Sequence, residues 1–260
     1  MNFHDKRQHF DEDGFVISRK LFEVEELLSL RGLVSDFFVS RMEGSVSDEL
    51  KNCADLSLDR IMISLRQSDK MKFGNLYDTI QTIPAFVSLA TSETIIREVS
   101  GLLGTSPSAL SWSGLLFRAD VPEDNRNTIS WHQDHSYLPF NVKGRKGVVI
   151  TIPLQDTTES MGAVRLKSRS HGLGVIKPEL DSIQSSGSSE QRLVPNSMLG
   201  GFDEVAPELK LGDALCMHMS TVHASGYNTS NFVRMSLLIR YHCNNAPDFI
   251  PYKMSFKAVR

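Results

Sequence analysis

Cysteine is scarce in this chain: Cys53, Cys216 and Cys243 are the only three in 260 residues. Three thiols cannot make a complete disulfide set, and their spacing matches no zinc finger. A disulfide-stapled scaffold is thereby excluded, and buried thiols in a reducing compartment are expected. No apolar run approaches the ~18 residues that a membrane span needs. The opening segment, MNFHDKRQHFDEDG, is too charged for a signal peptide. A soluble, cytoplasmic protein with no membrane partner is expected. Neither sign of charge dominates: 28 Lys and Arg stand against 31 Asp and Glu, for a net charge of -3. The basic residues are scattered, so no nucleic-acid partner is expected. No solenoid-type repeat is present. With 40% hydrophobic and 23% charged residues, the composition fits a single globular domain over residues 1–260.

The pattern changes character near residue 105. Up to there it is mainly helical, apart from a short strand expected at Phe15-Val16-Ile17 after the Asp13-Gly14 turn signal. Leu27, Leu28, Leu30, Leu33, Val34, Phe37 and Phe38 repeat at near-helical spacing. Met71 to Leu89 reads as helix broken at Pro84. A further helix is framed by Ser92 as N-cap and Gly104 as stop. From about 106 to 260, runs rich in β-branched and aromatic residues alternate with turn residues. They are Leu110–Arg118, Gly147–Leu154, Ala163–Lys167, Ala214–Met219 and Phe232–His242. Short strands at this spacing predict a β sandwich or barrel with the helices packed outside it. Ser182–Ser189 reads as a surface loop and candidate lid.

Trp131-His132-Gln133-Asp134 carries the first chemical signal. In extended backbone, alternate side chains share a side, so His132 and Asp134 form two arms of a metal clamp and Gln133 points away. Such a pair also occurs by chance, so a third ligand has to be found. His4 and His9 lie in the charged terminal segment, His171 in a loop-like stretch, and His218 and His242 in strand runs where hydrogen-bonded structural roles are expected. His223 stands out by its surroundings. Residues 212–242 read as a β-hairpin turning at Asn228-Thr229, which predicts His223 opposite Arg234 with Ser225 on the same face. Arg234 sits among Val233, Met235, Leu237 and Leu238. A buried arginine calls for an anionic partner.

Two histidines and a carboxylate leave open positions on iron(II). A 2-oxo acid can fill two of them and dioxygen a third. The far carboxylate of the acid then suits an arginine fork at Arg234, with the Ser225 hydroxyl beside it. Tyr137, Leu138 and Phe140, just past the metal motif, are candidate pocket residues. Trp131 reads as structural, and Gln155 and Asp156 as turn-capping.

Over most of its length the chain resembles the phytanoyl-CoA dioxygenase family. The residues that carry the resemblance are Phe10 to Val16, Trp131 to Asp134, Gly162 to Leu166 running into Ser168 to His171, and Gly212-Asp213 followed by His223 to Gly226 and Arg234. The resemblance implies a double-stranded β-helix, or jelly-roll, core with N-terminal helices around it. It also implies iron(II) at His132, Asp134 and His223, and 2-oxoglutarate at Arg234 and Ser225, with dioxygen as oxidant. Arg118 stands where the family often has a lysine facing the cosubstrate. A hydroxylase acting on a small-molecule metabolite, releasing succinate and carbon dioxide, is the implied activity.

Two positions depart from the family pattern. Ser168-Arg169-Ser170-His171 replaces the usual Pro-Gly-Ser-His, so His171 is given no catalytic role. Thr151 stands where many members have tryptophan. Asp134 argues against a halogenase, which needs a small residue there. The alternatives are another metal-dependent cupin-type enzyme, which would have no use for Arg234, and a non-catalytic jelly-roll binding protein, which would not need the triad.

Overall fold

The computed structural model describes residues 3–41, 58–137, 146–181 and 191–249. Leu138, Phe140, Cys53 and the Ser182–Ser189 loop lie outside the described residues. Helix α1 (Phe3–Asp13) leads through Gly14 into strand β1 (Phe15–Ser18). Helix α2 (Val24–Ser40) buries Leu27, Leu30, Val34 and Phe38, one stripe of its surface. Then follow α3 (Leu58–Ser68), α4 (Lys70–Ile80), α5 (Pro84–Ala90) and α6 (Glu93–Leu103). Pro84 opens α5 at a position where its missing N–H costs nothing. The Ser92 hydroxyl caps Ile95 N, and Gly104 closes α6 in the left-handed region at φ 58°. Among the described residues, no helix is long and apolar enough to cross a membrane.

The remaining strands are β2 (Leu110–Asp120), β3 (Gly147–Pro153), β4 (Arg165–Lys167), β5 (Glu179–Asp181), β6 (Gln191–Leu193), β7 (Glu204–Val205), β8 (Ala214–His218), β9 (His223–Ala224) and β10 (Arg234–Cys243). Five of them form an antiparallel sheet in the order β1-β8-β3-β10-β2. A smaller sheet runs β7-β4-β9, and β5 pairs with β6. The large sheet has two unlike faces. On one, Phe117, Ile150, Ile152, Leu237, Ile239 and Tyr241 join the helices in the main core. Phe117, for example, meets Tyr77 and Phe86 at ring distances of 5.8 and 6.4 Å. On the other face, Val149, Leu215 and Met217 pack against Leu166 of the small sheet. The candidate site residues lie between the two sheets.

One expectation is overturned. Residues 212–242 do not form a hairpin: β8 pairs with β1 and β3, while β10 lies between β3 and β2. The chain leaves the large sheet after His218, lays β9 against β4, and crosses back to begin β10 at Arg234. The physical reason lies in β10 itself, whose residues are buried on both faces with Arg240 alone intermediate. A strand covered on both faces at the centre of a sheet takes two partners. The Gly226–Asn231 stretch is therefore a crossing between sheets. The Asn228 amide holds it by donating to the carbonyls of Asp120 and Phe232, at 2.7 and 2.8 Å.

Candidate metal and cosubstrate site

His132 and His223 meet backbone to backbone. Each donates its N–H to the other's carbonyl, at 2.9 and 3.0 Å, in an isolated antiparallel bridge. This two-residue ladder sets their rings side by side, with centroids 4.1 Å apart. Gln133 turns the other way, as expected, donating to the carbonyls of Gly174 and Ser220 and accepting from Ile176 N. Asp134 returns to the histidine side. Ligand atoms of His132, Asp134 and His223 all lie within 4.8 Å of one another, and all three residues are buried.

The ring tautomers follow from the neighbours. His132 Nδ1 lies 2.8 Å from Ser130 O, and His223 Nδ1 lies 2.9 Å from Thr221 O. A carbonyl only accepts, so each Nδ1 carries the proton and each neutral ring keeps its lone pair on Nε2. Burial, with the neighbouring His223 adding to it, pushes His132 down to about 3, and burial also lowers His223. Burial works against ionised Asp134, but the Arg240 guanidinium and the two imidazoles outweigh it and hold the carboxyl well below its usual range. Oδ1 of Asp134 accepts from Arg240 Nη2 at 3.0 Å, while Oδ2 is buried without a partner. Two free imidazole nitrogens and one orphaned carboxylate oxygen in a buried cluster fit a divalent cation.

Arg234 is buried, but it does not stand opposite His223 as expected. Because β9 pairs with β4, the register partner of Arg234 is Asp120, whose carboxylate accepts from its Nη2. Arg118, two residues earlier on β2, donates through Nη2 to the other oxygen of Asp120 at 3.1 Å and to Asn127 O at 2.6 Å. The same nitrogen lies 3.4 Å from the Ser225 hydroxyl. Ser225 Oγ also donates to Asn127 O and accepts from Ile129 N, both at 3.2 Å. Arg234, Thr151 and Ser236 line one small void between the sheets. In each of the three a buried polar atom lacks a partner: Nε of Arg234, Oγ1 of Thr151 and Oγ of Ser236.

A larger cavity of about 370 Å³ opens over the triad. Arg118, Ser225 and Arg240 lie in its wall, with Tyr137, Ile129, Leu116, Val164 and Leu238 as apolar lining. Tyr137 is thus a pocket residue, its ring edge-on to His132 at 5.8 Å. Trp131 is structural: the cations of Arg165 and Lys167 sit over its ring at 5.2 and 4.8 Å. Gln155 binds the backbone of Val233 and Met235, and Asp156 that of Leu211, which are holding roles. His171 Nε2 lies 2.9 Å from Asp11 O and is not in the wall of the cavity over the triad, and His4 and His9 are exposed. Sequence reasoning missed Arg240 and Asp120. The signal for Arg240 was present, since every second residue of β10 from Arg234 shares a face.

Residues 10–236 match the family model of phytanoyl-CoA dioxygenase (PhyH). No curated protein sequence matches the chain. Among solved structures, the apo form of ThoJ, a non-heme monooxygenase, superposes with a TM-score of 0.63 at 19% identity, covering 92% of this chain and 77% of that one. SnoK, a non-heme alpha ketoglutarate dependent carbocyclase from nogalamycin biosynthesis, gives 0.61 at 18% identity, covering 94% and 87%. The epimerase SnoN, in complex with Fe3+, alpha ketoglutarate and nogalamycin RO, gives 0.58 at 18% identity, covering 92% and 83%. At such identities these likenesses show a common fold, the jelly-roll with helices expected from the sequence.

Proposed function

The chain belongs to the phytanoyl-CoA dioxygenase family of non-heme iron(II)- and 2-oxoglutarate-dependent enzymes, and on that premise we propose that it hydroxylates a C–H bond of a small metabolite. His132, Asp134 and His223 hold the iron. Arg234 takes the far carboxylate of 2-oxoglutarate, with Arg118 and Ser225 close by.

One observation carries this reading: two neutral imidazoles with free Nε2 and an ionised carboxylate with a free oxygen, buried within 4.8 Å of one another. A buried, unpaired carboxylate oxygen is costly unless something binds it. The unpartnered Arg234 Nε and the Thr151 and Ser236 hydroxyls support a carboxylate as their missing partner. When bound, the iron supplies oxidative decarboxylation of 2-oxoglutarate by dioxygen and the oxidising power to attack a C–H bond.

The work of the protein is positional. Ser130 O and Thr221 O fix both rings by their Nδ1–H groups, and Arg240 fixes the carboxylate by Oδ1. Leu116, Ile129, Val164 and Leu238 give an apolar wall to the cavity where a substrate would dock. Asp134, filling the third ligand position, favours oxygen over halide transfer.

The test is anaerobic loading with iron(II) and 2-oxoglutarate, then oxygen, with small molecules screened for stimulated succinate release and their products analysed by mass. A gain of one oxygen in product is expected, and His223→Ala should be silent. An epimerised or cyclised product of unchanged oxygen content would replace hydroxylation. Equal metal binding by wild type and His223→Ala would overturn the ligand set.

A further inference from the structure

Asp120 stands in an unusual place for an acid. It is the last residue of β2 and faces Arg234 across the β2–β10 ladder. One of its oxygens accepts from Arg234 Nη2, the other from Arg118 Nη2 at 3.1 Å. The side chains of Arg234, Asp120 and Arg118 are 3%, 11% and 14% exposed, so water screens the trio weakly. Both arginines have their ion pair with Asp120, so two guanidiniums share one carboxylate and a single positive charge is left over.

We infer that Asp120 is an internal counter-anion of the cosubstrate site, competing with the far carboxylate of 2-oxoglutarate for Arg234; this role rests on the one proposed above for Arg234. The far carboxylate is the half of the molecule that the reaction leaves unchanged. Whatever grips it in 2-oxoglutarate grips it equally in succinate. Interactions equal in both states do not help turnover and slow the departure of product. By holding one oxygen against Arg234, Asp120 lowers that shared grip and keeps the diacid exchangeable. Arg118 limits the effect by drawing part of the Asp120 charge to itself.

The experiment is anaerobic calorimetry on the iron(II)-loaded protein with three probes: 2-oxoglutarate, succinate, and 2-oxobutyrate, which keeps the chelating head but has no far carboxylate. Asp120→Asn should bind 2-oxoglutarate and succinate about ten-fold more tightly, and 2-oxobutyrate as wild type does. Unchanged or weaker binding of the two diacids by a folded variant overturns the inference. So does equal tightening for 2-oxobutyrate. Arg118→Gln leaves Asp120 wholly to Arg234 and should weaken 2-oxoglutarate binding about ten-fold. The double variant Arg118→Gln with Asp120→Asn, which removes one charge of each sign, should recover wild-type affinity or better. A double variant as weak as Arg118→Gln alone also overturns the inference, and this arm stands even where Asp120→Asn does not fold. If Arg234→Ala binds 2-oxoglutarate as tightly as wild type, the premise about Arg234 fails instead, a result distinct from any of these.

Discussion

Arg240 and Asp134 are 106 residues apart in sequence and meet at 3.0 Å, Nη2 to Oδ1. The contact occupies Oδ1 of the carboxylate, while Oδ2 is buried without a partner. The strand that carries Arg240 thereby fixes the one proposed ligand that is not an imidazole.

Arg240→Gln keeps a donor but loses the charge and the reach of the fork. Iron(II) affinity should fall about 10–100-fold, the usual consequence of losing a partner behind a ligand. Arg240→Lys should fall between the variant and wild type. Direct metal titration measures both, and an affinity within about two-fold of wild type in Arg240→Gln would make the contact incidental.

Arg234→Ala should raise the dissociation constant for 2-oxoglutarate about 10–100-fold, the worth of a hydrogen bond to a charged group. Metal affinity should stay as in wild type, because Arg234 lies beside Asp120 and not beside the triad. Thr151→Val and Ser236→Ala, which remove the unpartnered hydroxyls, should each weaken 2-oxoglutarate binding by a smaller factor. Calorimetry with the metal-loaded variants separates the two effects.

How far this site was legible in the sequence differs from residue to residue. The proposed ligands His132, Asp134 and His223 could be picked out because such a triad needs particular side chains in a particular order. The runs later seen as β2, β3, β8 and β10 announced themselves by β-branched and aromatic content. The partner of Arg234 did not. Gly226 to Asn231 has turn composition, and turn residues serve equally for a tight hairpin and for a crossing between two sheets. Only the strand pairing decides between them, and pairing is set by distant residues. Asp120 was invisible for a related reason: an acid at a strand end is ordinarily solvated, and its burial here depends on β10 lying alongside.

His242 gives a stability prediction with a definite sign. Burial, then the nearby His135 and Arg240, push it from 6.5 down to about 4, with Asp134 acting the other way. Between those values the unfolded chain holds a proton that the folded chain lacks, so stability is full above about pH 6.5 and declines as the pH falls toward 4. The contribution at stake is about 3 kcal/mol. Urea unfolding of the metal-free protein should show His242→Gln losing about that much less than wild type over this range. Identical pH profiles for the two proteins would argue against the assignment.

Phe117→Ala tests the helix-facing side of the sheet independently of the site. Phe117 is 1% exposed and touches Tyr77 and Phe86. Truncation should cost about 3–5 kcal/mol in chemical denaturation. Since Phe117 points away from Arg118 and the triad, metal affinity of the folded fraction should match wild type.

Strand β10 carries Arg234, Ser236 and Arg240 on one face, the first two lining the small void and the third the cavity over the triad, so one ribbon of backbone serves both ends of the proposed site. Loss or gain of a single residue between Met235 and Ile239 would swing one end of that ribbon through half a turn relative to the other. An insertion or deletion in this stretch should therefore abolish activity however conservative the residue inserted.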